Sequence, residues 1–303
     1  SLRTQVARTI TILLLFLTLL IGSAEAGQNV LAVQSVSVAP YEEAVKGFEH
    51  VYGTEVKRLF ISGRKEKDVL KTIREIRPDM VLALGRDALL IARGITTIPV
   101  VYCMVLNPQS VLSGEKNISG VSMNLTPEKQ LSELLTVLPS TPDIGLLYDP
   151  DQTGVFVQGL RDAAAKMDVK LTATAVRSSR DVPPLLNTMK GKAGVFWMLP
   201  DITVITPETV EAILLFSLEN NLPIITFSEK YLELGAMLSI GIEPFDIGSQ
   251  AGEMAQKIFS GNDVKDGRHV DARKALISIN YKIAGKLGIT IDQKVIRNNK
   301  VIR

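Results

Sequence analysis

Short apolar runs rich in β-branched residues alternate along this chain with amphipathic stretches, roughly one pair every 25 to 30 residues. That is the pattern of a parallel α/β sheet, whose strands are covered on both faces by helices and so read as continuous apolar runs. Two such series follow one another. In the first, strands are predicted over 30–34, 55–60, 80–84 and 100–104, with helices over 42–52, 65–76 and 87–93 between them. The second opens at Thr126-Pro127-Glu128, where Thr caps, Pro fits the first helical position and Glu meets the positive end of the helix dipole. Leu131, Leu134, Leu135 and Leu138 then form one stripe, closed by Pro139. Strands follow over 144–148, 170–176, 193–198 and 224–227, with helices over 155–167, 182–189 and 207–220.

After this the order changes. An apolar run over 236–242, a helix over 247–259, a polar segment over 262–274 and a last run over 276–280 read as returns between two lobes. The fold class expected is therefore α/β, two Rossmann-like lobes with parallel sheets joined by a multi-strand hinge. One lobe comprises residues 29–121 plus 243–275, the other 122–242 plus 276–303, with handovers near Gly120, Ile242 and Leu276.

The N-terminus carries a different pattern. Arg3 and Arg8 precede an apolar run from Ile10 to Ile21, and Ala24-Glu25-Ala26 follows. Such a run rises about 18 Å as a helix, short of the roughly 30 Å hydrocarbon core, so residues 1–26 read as a cleavable secretory signal peptide rather than an anchor. No cysteine stands directly after the expected cleavage site, which argues against a lipid anchor and for a free periplasmic protein. Cys103 is the only cysteine of the chain, so no internal disulfide forms; it lies in a strand and reads as a packed, inert thiol.

Charge narrows the partners. The 34 Lys and Arg against 32 Asp and Glu give a formal net charge of +2, interspersed, which is unlike the concentrated basic face of a nucleic-acid binder. The densest basic stretch, Arg58 to Lys71, is interrupted by Glu66 and Asp68 and reads as a solvated helix face. Enzyme chemistry needs a constellation that this chain lacks. His50 and His269 are isolated, no zinc spacing, phosphate loop or nucleophile elbow is present, and Gly248-Ser-Gln-Ala-Gly252 reads as close helix packing. No cofactor, metal or catalytic residue is expected.

A site is expected where parallel strands end, because loops diverge there and helix N-termini point inward. The candidate loops run over 35–41, 85–88 and 106–110 in the first series and 149–154, 199–204 and 228–231 in the second. Their ligand-binding candidates are Ser35, Ser37, Tyr41, Arg86, Asp87, Asn107, Asp151, Gln152, Thr153, Asp201, Thr203 and Ser228. Asp149, Asp151 and Asp201 suit an ammonium, while Arg86 and the N–H groups opening a helix after Thr153-Gly154 suit a carboxylate. Capping is the competing explanation for each of these Asp and Thr residues. Tyr41, Tyr148, Phe227 and Tyr231 lie at or beyond strand ends, where they form either an aromatic wall or core.

Several stretches resemble a known family in order and spacing. They are Ile98-Pro-Val-Val-Tyr102 with Asn107-Pro108, Asn117-Ile-Ser-Gly-Val-Ser122, Lys129-Gln-Leu131 through Leu138-Pro139, Ile144-Gly-Leu-Leu-Tyr148, Leu222-Pro-Ile224, Leu234-Gly-Ala236, Ser239-Ile-Gly241 and Ile279-Asn280. The chain is similar to the ABC transporter substrate-binding proteins of type I periplasmic-binding fold, a family formerly described as a domain of unknown function, some of whose members bind aromatic amino acids. The resemblance implies binding loops at Ser35 through Ala39, Gly85-Arg86-Asp87, Asp151 through Gly154 and Asp201 through Val204. It departs from the family at Arg86-Asp87, Asn107, Gln152-Thr-Gly154 and Ile202, which alters ligand contacts and leaves the architecture alone. The partners it implies are a small-molecule ligand, with amino acids among the candidates, and an ABC permease in the inner membrane, with the protein acting as a monomer. The rival readings are a periplasmic sensor feeding a membrane receptor kinase, and an exported hydrolase using Asp149, Asp151 or Asp201.

Overall fold

A computed structural model describes residues 28–140, 143–262 and 268–302. The expected signal peptide lies outside these residues. Among the described residues no helix is long and apolar enough to cross a membrane.

The chain folds into two α/β lobes. Strands β1 (Val30–Gln34), β2 (Lys57–Phe60), β3 (Met80–Leu84), β4 (Val100–Val105) and β5 (Ile118–Ser122) make a parallel sheet, with the two-residue β11 (His269–Val270) at its edge, in the order β2-β1-β3-β4-β5-β11. The second sheet runs β7 (Lys170–Ala175), β6 (Asp143–Tyr148), β8 (Val195–Trp197), β9 (Ile224–Thr226), β10 (Leu238–Ile242), β12 (Ala275–Asn280) and β13 (Lys300–Ile302). Its first five strands are parallel, whereas β12 runs antiparallel to β10 and β13 parallel to β12.

Burial explains why these runs are strands. All five residues of β3 are buried, and they alternate between two cores. Met80, Leu82 and Leu84 meet helices α1 (Ala39–Tyr52) and α9 (Pro244–Phe259), while Val81 and Ala83 meet α2 (Glu66–Ile76) and α3 (Arg86–Ala92). In the second lobe α4 (Pro127–Val137) and α5 (Pro150–Lys166) cover one face of the sheet. Helices α6 (Val182–Thr188) and α7 (Pro207–Asn220) cover the other, with the short α8 (Lys230–Glu233). Two further helices, α10 (Tyr281–Lys286) and α11 (Gln293–Asn298), lead into β13.

The expected Thr caps are present: Thr126 and Thr206 accept from the N–H groups of Lys129 and Thr209 at 3.2 and 3.3 Å. Three other helices begin earlier than their apolar stripes suggest. Helix α1 starts at Ala39, α5 at Pro150 and α9 at Pro244, each with Pro in its first turn. Proline there loses no hydrogen bond and has its φ already set, so the helix extends beyond the buried stripe into polar sequence. Arg58, read with the following basic residues as a solvated helix face, stands instead on β2 and pairs with Glu42.

The glycines of α9 are packing residues, as expected. A Cβ at Gly248 would lie 1.8 Å from the Ala44 carbonyl oxygen, and one at Gly47 would lie 1.9 Å from that of Phe245. Helices α1 and α9 therefore touch backbone to backbone, which fixes α9 on the first lobe although it follows a strand of the second.

The chain passes from the first sheet to the second after β5, returns after β10, and crosses again between β11 and β12. Both β5 and β10 hand over at their carboxyl ends, one through residues 123–126 and the other through Glu243 alone. Links this short bring the carboxyl ends of the two sheets near each other.

Candidate functional site

On the second lobe the structure brings four residues together. Asp201 is 1% exposed, and its carboxylate accepts from four donors. Oδ2 takes the Asp149 N–H at 2.7 Å and the Thr153 hydroxyl at 2.6 Å, while Oδ1 takes the N–H groups of Thr203 and Val204 at 3.0 and 3.2 Å. Asp149 is bound reciprocally, accepting the Thr203 hydroxyl at 2.7 Å and the Asp151 N–H at 3.0 Å. Each turn thus lends its Thr to the other turn's Asp, stitching the β6–α5 turn to the loop after β8. These hydrogen bonds, from Thr203 first and then Asp151, together with the nearby Arg177 charge, hold Asp149 below the usual carboxylate range despite some burial.

This arrangement changes the role that the sequence suggested for the α5 turn. The helix starts at Pro150 with Asp149 as its cap, so Thr153 and Gly154 lie inside it rather than before it. The Asp151 N–H is taken by the Asp149 side chain, and the Gln152 and Thr153 N–H groups by the Asp149 carbonyl at 3.0 and 2.9 Å. The N–H groups expected after Gly154 to receive a carboxylate are therefore helical groups, not a free helix start. Asp151 and Gln152 remain exposed, and Asp151 faces Arg177 at 3.2 Å.

The first lobe contributes a second group. Ser37 is exposed and donates to Glu42 Oε1 at 3.0 Å, and Gln34, wholly buried at the end of β1, donates to the same oxygen at 3.3 Å. Arg58 holds the other Glu42 oxygen, and its hydrogen bond, outweighing a burial effect in the opposite direction, keeps Glu42 below the usual carboxylate range. Ser35 is half-buried beside this group. Tyr41 is half-buried on α1, and a Cβ at Gly85 would lie 2.0 Å from its hydroxyl, so only glycine, at φ +83°, admits the ring there. Burial, followed by the Asp87 charge and the Cys103 thiol, raises the Tyr41 pKa. Arg86 and Asp87 are exposed in the first turn of α3.

The end of β4 and the loop after it are strained. Register slips between Tyr102 and Val105, and Met104, 3% exposed, sits at φ +57°. A left-handed non-glycine residue inside a core is costly, and such backbones concentrate at functional sites. Asn107 follows at φ +48°, exposed, with its N–H donating to Asn124 Oδ1 at 3.2 Å. Ser228, half-buried after β9, belongs to neither hydrogen-bonded group. Of the four aromatic candidates Tyr231 is core, in an edge-to-face pair with Phe227 at 5.4 Å, while Tyr148 and Phe227 are half-buried.

Residue-by-residue reading of the sequence missed Gln34, Glu42, Arg58, Thr226 and Ser239. Among the described residues, the buried side-chain oxygens without a hydrogen-bond partner are Gln34 Oε1, Thr226 Oγ1 and Ser239 Oγ. Gln34 ends β1, Thr226 ends β9, and Ser239 pairs in register with Thr226. A polar residue closing an otherwise apolar strand was the available signal. Large apolar side chains also stand exposed around the same strand ends: Val36, Val38, Leu106, Val155 and Ile202, the last two at 92% and 75%. The strand ends thus combine buried polar residues, exposed apolar side chains around them, and acids that hold the loops.

Comparison with known proteins bears directly on this geometry. The profile of the family described as "ABC transporter substrate binding protein" matches residues 53–302. The chain belongs to that family. It is the substrate-binding component of an ABC transporter, with a small-molecule ligand and a binding rather than a catalytic role. A protein named "Tyrosine-binding protein" from Clostridioides difficile (strain R20291) is 26% identical over 266 residues, covering 79% of this chain and 74% of the relative. Among solved structures, the ligand-free, open form of a substrate binding protein with adhesive properties from Clostridium difficile aligns with a TM-score of 0.76 at 20% identity, over 91% of this chain and 99% of that one. A Streptococcus pneumonia ABC domain in complex with L-Trp aligns with a TM-score of 0.55 at 21% identity, over 90% and 99%. These likenesses place this substrate-binding protein in a two-lobe α/β fold shared with those solved structures.

Proposed function

We propose that this protein captures a small amino acid-like solute between its lobes by hinge closure, in the periplasm and as a monomer, and delivers it to an inner-membrane permease. The supporting observation is the placement, at the carboxyl ends of β1 and β9, of the buried polar residues Gln34 and Thr226, with exposed apolar side chains from both lobes around the strand ends. Exposed Val36, Val38, Leu106, Val155 and Ile202 lose water contact when the cleft shuts, which favours closure over an apolar solute.

Two relatives support a ligand class: one is named for tyrosine and another is in complex with L-Trp. An aromatic amino acid is the first candidate. In this reading Asp201 and Asp149 position the loops, and Ser35, Tyr41, Arg86, Asp87, Asn107, Gln152 and Ser228 stand nearest the solute. Thermal unfolding of the protein without residues 1–26, in the presence of L-tyrosine, L-tryptophan and a panel of other amino acids, tests it. A ligand at 100 times its Kd stabilises the folded state by about 2.7 kcal/mol, an easily measured shift. If no amino acid moves the transition, the amino acid reading is wrong.

A further inference from the structure

Three links join the lobes, and the hydrogen bonds around them show how little of each is free. In the first, the Met123 N–H donates to the Val105 carbonyl at 2.9 Å and the Asn124 N–H to Ser122 Oγ at 3.0 Å, while the Asn124 carbonyl accepts the Ala272 N–H at 3.0 Å. Just beyond, the Leu125 carbonyl is held by Gln130 of α4 at 3.0 Å, so the first lobe's hold ends at Asn124 and the second's begins at Leu125. In the second link Ile242 is still paired in the sheet and Pro244 already opens α9, which leaves Glu243. In the third, Asp271 accepts the Ser122 hydroxyl at 2.6 Å, the Arg273 N–H donates to Gln250 Oε1 at 3.0 Å, and Ala275 is paired with Ile242. Only Lys274 stands between.

Arg273 holds this third link to the first lobe. Its Nε and Nη2 reach Asp246 at 2.9 to 3.1 Å, and its Nη1 and Nη2 reach Glu253 at 3.0 Å each. The Asp246 side chain is 5% exposed. Lys274 adds a contact of 3.4 Å to Asp246 and one of 3.9 Å to Glu243. Both acids that receive Arg273 lie on α9, which Gly47 and Gly248 lock against α1. A planar guanidinium forked onto two carboxylates fixes orientation as well as distance, which an ammonium does not.

We propose that Arg273 is a positioning residue that confines interlobe bending to the Asn124–Leu125 junction, Glu243 and Lys274. This rests on the closure reading above. Without the fork, residues 271–273 gain backbone freedom and the lobes sample a wider range of separations before any ligand binds.

The test is a distance distribution from pulsed electron spin resonance on ligand-free protein, spin-labelled through Glu75→Cys on α2 and Lys190→Cys in the second lobe. Both positions are exposed, while the native Cys103 is buried and stays unlabelled. The expected result is that Arg273→Gln widens the distribution about twofold, Arg273→Lys less, and Lys300→Gln, which breaks an ion pair with Glu229 away from the links, not at all. An Arg273→Gln protein with native circular dichroism and wild-type width overturns the proposal. Should that variant not fold, Glu253→Gln, which removes one of the two carboxylates of the fork at a side chain 42% exposed, is read the same way. Adding L-tyrosine to the wild type checks the ligand separately, since the width comparison uses no ligand.

Discussion

Replacing Asp201 with Ala separates a residue that holds the site from one that touches the ligand. The substitution removes a buried carboxylate and leaves four donors: the N–H groups of Asp149, Thr203 and Val204 and the hydroxyl of Thr153. The Thr153 hydroxyl can turn to another acceptor, whereas the three N–H groups are fixed by the backbone. Hydrogen bonds to a charged group contribute about 1.5–3 kcal/mol each, and a stranded buried donor costs about 1–3 kcal/mol, although such terms overlap within one network. An overall loss on the order of 3–5 kcal/mol is expected, at the upper end for a single substitution. Asp201→Asn keeps an acceptor for Thr203 and Val204 but turns an NH2 toward the Asp149 N–H, and about half that loss is expected. Urea unfolding followed by circular dichroism measures both, with tryptophan fluorescence reporting on Trp197, buried in β8 of the same lobe. If Asp201→Ala changed stability by less than about 1 kcal/mol while abolishing ligand binding, Asp201 would be a direct ligand contact and the reasoning would be refuted.

Three other outcomes follow from the packing and charges. Gly248→Ala places a Cβ 1.8 Å from the Ala44 carbonyl oxygen, so α9 must move off α1; a thermal midpoint within a degree or two of wild type would contradict that contact. Burial pushes the Cys103 thiol up to about 12, so Ellman's reagent should leave it unmodified in the folded protein and react on adding urea. Burial, then the Arg268 charge, lowers the His269 pKa, so the folded state binds fewer protons than the unfolded one as acid is added. Stability should therefore fall as pH drops below about 6.5 toward the lower folded value, and His269→Gln should flatten that dependence in urea midpoints compared at pH 7.5 and 5.

The alternation of apolar runs and amphipathic stripes determined the two α/β series, because a strand buried on both faces and a helix buried on one leave different local patterns. Thr126-Pro127 and Thr206-Pro207 likewise fixed helix starts by local chemistry alone. Where the signal was non-local it failed. The edge strand β11 has two residues and exists only because β5 lies beside it, and β13 depends in the same way on β12. Asp201 read either as a ligand for an ammonium or as a cap; its four donors come from two turns separated by about fifty residues, which only tertiary contact brings together. Gln34 read as the end of a strand and Thr226 as part of one, and it took the sheets to bury both side chains. Sequence therefore set the elements, through forces acting over one or two turns of chain. The tertiary structure decided which polar groups are used up in holding the loops, because a hydrogen bond is assigned only when both partners have a place in space.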